Sequence, residues 1–183
     1  MAGLQALDGF LSARWRHRLA AHVLLRRRDG AVLLVQTTDG WTLPGGAVRA
    51  DASPRAAVGA ALLRLALESA VGRLLAHDFR RADDGGSEVL LYDGGSWATD
   101  ADGFTADGGQ ITARFCPAGE LGAWLARGES ALAAAGLRGL ELGGVAELED
   151  GVDASPAAAP GNRMPPRALM PSLPESSAVL SGS

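Results

Sequence analysis

Trp41-Thr42-Leu43-Pro44-Gly45-Gly46, followed by Ser53-Pro54 and a run rich in Ala and Leu, decides how the rest of this 183-residue chain is read. The glycine pair after a proline makes a tight turn. Ser53 offers a side-chain oxygen to the unpaired N–H groups that open a helix. Pro54 brings a fixed φ that suits the first helical position. The spacing predicts a helix from Pro54 to about Val71, where Gly72 can close it.

Upstream of that stretch, Leu19 to Arg27 reads as a strand. Asp29-Gly30 reads as a two-residue hairpin turn with both central residues at positive φ, and Ala31 to Gln36 as the returning strand. Asp39-Gly40 turns the chain into Trp41. Downstream, Arg73 to Arg80 and Ser87 to Asp93 read as strands, joined by a hairpin loop at Asp83-Asp84-Gly85-Gly86. Gly94 to Gly109, dense in Gly and Asp, reads as a mobile loop. Gln110 to Cys116 alternates like a strand that Pro117 ends. Gly119 to Leu125 starts a further helix, and residues 129–142 carry an Ala/Leu helical pattern. Strands, one helix, more strands and a closing helix fit an α/β/α sandwich around a mixed β-sheet.

The ends of the chain differ from this body. Residues 1–18 read as a lead-in helix, with Leu4, Leu7, Phe10 and Leu11 at helical spacing and a basic, solvated face from Ser12 to Arg18 that buries Trp15. From about Val152 the composition changes: six of the nine prolines lie between Pro156 and Pro174. Such a segment buries too little apolar surface to offset its ordering entropy. Residues 19–151 therefore read as one domain and 152–183 as a disordered tail.

Composition narrows the function. A net charge of −4 and a pI near 5.3 leave no basic footprint for nucleic acid. All 17 basic residues are arginine. With the Ala, Gly and Leu excess, this reads as the product of a GC-rich bacterial genome. One cysteine, Cys116, excludes an internal disulfide and suits a reducing cytoplasm. No signal peptide and no membrane-length apolar run is evident. His17, His22 and His77 lack metal-ligand spacing.

Over roughly residues 19–142 the chain resembles the Nudix hydrolases. The resemblance rests on the 41–46 stretch, on Ser53-Pro54 with its helix, and on Phe115-Cys116-Pro117-Ala118-Gly119-Glu120-Leu121. It implies an α/β/α sandwich and a link to nucleoside diphosphate derivatives. It also implies a G-x5-E-x7-R-E-U-x-E-E-x-G-U box whose glutamates hold Mg²⁺ or Mn²⁺ along one helix face, where U is aliphatic. Laid without gaps from Gly46, the first Glu position falls on Ala52 and the R-E pair on Ala60-Ala61. Leu62 meets the aliphatic position. The E-E pair falls on Arg64-Leu65, and the late Gly on Leu67. A shift of four residues would align Arg64 and Glu68 with the box instead, but it loses the helix start at Ser53-Pro54.

Hard Mg²⁺ takes oxygen ligands, and Ala61, Arg64 and Leu65 offer none. A guanidinium about 4 Å from a divalent ion, at an effective dielectric near 20, opposes it by roughly 8 kcal/mol. The expectation is a protein of Nudix lineage with no catalytic and no metal-ligating residues in the box, weak or inactive as a hydrolase. Its candidate ligand-binding residues are Trp41, Gly45, Gly46, Arg49 and Arg64, and the partner they suit is a nucleotide or another phosphate-bearing small molecule. An active hydrolase using Mg²⁺ or Mn²⁺ would need relocated carboxylates, drawn from Asp51, Glu68, Glu88, Asp93 and Glu120. For Arg64 the plain alternative is an i,i+4 pair with Glu68 on a solvated face.

Overall fold

The computed structural model describes residues 18–82 and 85–154. The lead-in helix expected before Arg18, and the chain from residue 155 onward, lie outside them. In chain order the described strands are β1 Arg18–Arg27, β2 Val32–Thr37, β3 Gly40–Thr42, β4 Gly45–Ala47, β5 Leu74–Arg80, β6 Ser87–Trp97, β7 Gly103–Ala106, β8 Ile111–Cys116, β9 Ala146–Glu149 and β10 Val152–Asp153. The helices are α1 Pro54–Arg64, α2 Leu121–Trp124 and α3 Arg127–Leu142.

The strands form one mixed sheet in the order β10-β9-β5-β6-β1-β2-β8-β7, with β3 on β2 and β4 on β1. β1 runs parallel to β6, and β5 parallel to β9; the other pairs are antiparallel. Side chains on β1 alternate between the two faces, as the pleat requires. Ala21, Val23 and Leu25 join Val58 and Leu62 of α1 on one face. Leu24 joins Leu132, Ala133 and Ala135 of α3 on the other. The α/β/α sandwich is present.

β1 positions the site. One edge pairs with β6 along its length. The other edge is shared: β4 takes Ala20 to His22, while β2 touches only at Arg26↔Val32. β2 therefore diverges from β1, and a wedge opens between β2 and β4.

Several sequence expectations need correction. The first hairpin is a three-residue loop. Gly30 N–H donates to the Arg27 carbonyl at 3.0 Å, Arg27 N–H donates to the Ala31 carbonyl at 2.7 Å, and Gly30 alone of the Asp29-Gly30 pair has positive φ, 88°. This is the type I turn plus left-handed glycine that closes three-residue hairpins. α1 stops at Arg64, not near Val71. There Ala66 enters the left-handed region at φ 56°, and Leu67 N–H reverses onto the Leu62 carbonyl at 3.0 Å. That backward bond satisfies an end carbonyl and seats Leu65 and Leu67 in the core, 3% and 5% exposed.

Half of the segment expected as a mobile loop is sheet: β6 continues to Trp97, and β7 pairs with β8. Trp97 packs edge-on against Phe104 with ring centroids 5.3 Å apart, which ties that excursion to the core. The expected tail boundary moves as well, because Val152 and Asp153 pair with β9 and Ala154 N–H donates to the Glu147 carbonyl at 2.8 Å.

Candidate ligand site at the open face of α1

The helix start behaves as its sequence demands. Ser53 Oγ accepts the Ala56 N–H at 3.2 Å, and Pro54 opens the helix. The row that the ungapped register assigns to metal ligands, Ala61, Arg64 and Leu65, borders a cavity of about 520 Å³. The opposite wall comes from Val35 to Thr38 at the end of β2 and from Gln110 to Thr112 at the start of β8, with Pro44 and Gly45 beneath. The cavity thus fills the wedge where β2 leaves β1.

Gly45 is required by close approach. A β-carbon there would stand 2.2 Å from the Ala21 carbonyl oxygen and 2.6 Å from His22 Cα, and its φ is 144°. The Pro44 carbonyl accepts the Val23 N–H at 2.8 Å, which fastens the loop to β1. The turn expected at Gly45-Gly46 is therefore a short strand paired antiparallel to the edge of β1, with Gly46 opposite Ala21.

Of the residues singled out from sequence, Gly45 and Arg64 line the same cavity. The others sit apart. Trp41 is half-buried against the α3-side core and edge-on to Trp124, with ring centroids 5.6 Å apart. It borders a separate shallow depression with Phe104 and Arg114. Arg49 is exposed and bonds Asp51 through Nε at 3.0 Å and Nη2 at 3.2 Å. Those bonds hold the Asp51 carboxyl below its usual range.

Arg64 does not pair with Glu68. The helix has ended and the chain has reversed at Ala66, so Glu68 lies in another depression beside Leu25 and Trp97. The same reversal removes Glu68 from the helix face that the shifted box register needs. Arg64 instead reaches Asp107, with Nη2 at 3.1 Å and Nε at 3.4 Å from one oxygen, Oδ2. Asp107 was missed in the sequence. Its run with Gly108-Gly109 signals a turn, but nothing local couples it to an arginine 43 residues away.

The relocated carboxylates do not converge. Asp51 faces Arg49; Glu88 lies 3.9 Å from His77 Nε2; Asp93 lies 3.5 Å from Arg26 and accepts the Gly95 N–H. Glu120 is exposed where a 3-10 turn leads into α2. None of these acids lines the cavity. Among the described residues no group of three His, Cys, Asp or Glu side chains is placed to hold a metal ion. No carboxylate among the described lining residues offers its oxygens to Mg²⁺ or Mn²⁺ there. On the opposite side of β1, burial pushes the His22 imidazole below its ordinary value of 6.5, against the opposing pull of its bond to the Leu43 carbonyl at 3.0 Å.

No family model matches this sequence, and no curated protein does. Solved structures do match. The Nudix domain of Shewanella oneidensis NrtR, complexed with ADP ribose, superposes with a TM-score of 0.56 at 20% identity over 76% of this chain and 99% of that one. The MutT protein from Methanosarcina mazei Go1 gives 0.55 at 16% identity over 71% and 97%. The E. coli ORF135 protein gives 0.54 at 24% identity over 67% and 89%. The chain has the Nudix fold. No described helix is long and apolar enough to cross a membrane.

Proposed function

We propose that this Nudix-fold domain binds a phosphate-bearing small molecule of the nucleoside diphosphate-linked class in the cavity over α1, without a divalent metal and without hydrolysing it. The observation that carries the reading is the composition of the α1 face: Ala61, Arg64 and Leu65 border the cavity where the box register calls for carboxylates. The bound ADP ribose of the NrtR Nudix domain supports the ligand class. Arg64 takes over part of a cation's electrostatic task there. Its fork of donors matches phosphate oxygens, which an alanine or leucine cannot do. A guanidinium generates no activated water, so bound ligand is retained rather than cleaved. Trp41 and Arg49 stand apart from the cavity and take no part in this binding, and Gly46 belongs to the β4 strand that anchors Gly45. The buried free thiol of Cys116 is compatible with a cytoplasmic setting.

Calorimetric titration of ADP-ribose in the presence of EDTA, on the wild type and Arg64→Ala, tests this. EDTA-resistant binding should weaken at least tenfold in the variant, about 1.4 kcal/mol. Added Mg²⁺ should release no cleavage product from bound ligand. Metal-dependent cleavage, or binding that ignores Arg64, would sink the proposal.

A further inference from the structure

Of the twelve described residues lining the cavity, Arg64 is the single charged one, and its charge already has a partner. Asp107 supplies one carboxylate oxygen to both Nε and Nη2, at 3.4 and 3.1 Å. Binding through one oxygen falls short of the parallel two-oxygen geometry that makes arginine pairs strong. Both side chains are open to water, at 64% and 43% exposure, so solvent screens the pair and it is cheaply exchanged.

The segment bearing Asp107 is built to give way. Asp107, Gly108 and Gly109 have φ of 53°, 65° and 91°. This left-handed run is one that aspartate tolerates and glycine adopts freely. A β-carbon added at Gly108 or Gly109 meets nothing within 4 Å, so the turn is unpacked. It is the tip of the β7–β8 hairpin, and β7 is the outermost strand of the sheet. The next residues, Gln110 to Thr112, are cavity wall. A shift of the tip therefore reaches the cavity wall, while Ala106 in the α1-side core and Ile111 packed against it anchor the base of the hairpin.

We infer that Asp107 is an internal stand-in for the ligand's anion, holding the Arg64 subsite until a phosphate displaces it. The inference rests on the binding role proposed above and fixes the ligand's orientation. The anionic group lies at the rim over Arg64. The uncharged, hydrogen-bonding part lies along the facing, solvent-exposed wall formed by Gln36, Thr37, Thr38, Gln110 and Thr112. Asp107 then sets affinity as a competitor: ligands with a weak or misplaced anion fail to dislodge it.

The test titrates ADP-ribose and inorganic pyrophosphate, with EDTA present, into wild type, Asp107→Asn, Arg64→Ala and the double variant. Asp107→Asn should tighten ADP-ribose binding three- to tenfold and give no gain in the Arg64→Ala background. Hydrogen exchange on the unaltered chain supplies a check that needs no variant. The Gln110 N–H, 3.3 Å from the Asp107 carbonyl, should exchange faster once ligand is bound. Equal or weaker binding by Asp107→Asn, a gain that persists without Arg64, or slower exchange at Gln110 overturns the competitor role while the cavity reading stands. Failure of both wild type and Asp107→Asn to bind either probe brings down the cavity reading, and this inference with it.

Discussion

The two long helices among the described residues flank one sheet and meet it in different ways. α3 is pressed into place. Leu132, Ala133 and Ala135 are fully buried. A β-carbon at Gly136 would stand 2.5 Å from Leu91 Cδ2, and one at Gly139 would stand 2.7 Å from the Leu75 carbonyl oxygen. α1 buries Val58 and Leu62 and little else. A β-carbon at its Gly59 meets nothing, and Leu63 is 71% exposed. Packing dictates the buried face of α3, Leu132, Ala133, Ala135, Gly136 and Gly139, residue by residue. On α1 it dictates a narrow stripe, worth roughly 1.5–3 kcal/mol for each fully buried Val or Leu. The residues beside that stripe are left to whatever the cavity requires. A fold can therefore keep its architecture while the chemistry of one helix face changes.

The contrast is tested most severely in the α3 core. Leu132→Ala should cost about 2–5 kcal/mol by urea unfolding, since the site is enclosed and collapses poorly. A loss under about 1 kcal/mol would mean that α3 is no better seated than α1. The next effect probes the border of the α1 stripe. Leu65→Glu should destabilise by roughly 2–4 kcal/mol, because it puts a carboxylate where the side chain is 3% exposed. Half-buried Ala61→Glu should stay within about 1 kcal/mol. Equal costs would show that the stripe is wider than the burial pattern suggests. Rebuilding the whole box is thus limited at Leu65 rather than at Ala61 or Arg64.

A smaller effect follows from His22, which faces the α3 side near Glu129 and Arg80. Its pKa in the fold is below 6.5, so the unfolded chain takes up the proton first as pH falls. Its contribution to stability is full above about pH 6.5 and declines as pH drops below that value. Unfolding free energies at about pH 7.5 and pH 5 should therefore differ less in His22→Gln than in the wild type. An unchanged pH slope would remove His22 from the account. The smallest expected effect is on the α1 side, where millimolar Mg²⁺ or Mn²⁺ should leave the melting temperature where it was. A metal site tighter than about 100 μM by calorimetry would restore the cation to the cavity.

What could be read from the sequence is what short-range forces decide. The Ser53-Pro54 helix start, the strands around it and the sandwich that they imply come from capping chemistry and from alternation over a few residues. The helix end escaped because an alanine, Ala66, takes the left-handed conformation in place of the expected glycine. Its reason is the burial of Leu65 and Leu67 against strands distant in sequence. The hairpin at Asp29-Gly30 was legible as a turn but not in its length, which depends on where the two strands come into register. Of the site, Gly45 and Arg64 could be picked out. The wedge between β2 and β4, the Asp107 contact and the separation of Trp41 and Arg49 from the cavity come from long-range strand pairing, which no local pattern encodes.

Gly45 carries a consequence for motif recognition. Its missing side chain is demanded by a carbonyl oxygen of β1 that would lie 2.2 Å from any β-carbon, whatever stands on α1 further along the chain. The Leu-Pro-Gly-Gly signature is thus a keystone, cut to fit the arch, and a keystone says nothing about what passes beneath it. A search that weights those letters heavily will register a building style and report a trade. For chains of this fold, the letters that speak to chemistry are the ones with empty space beside them.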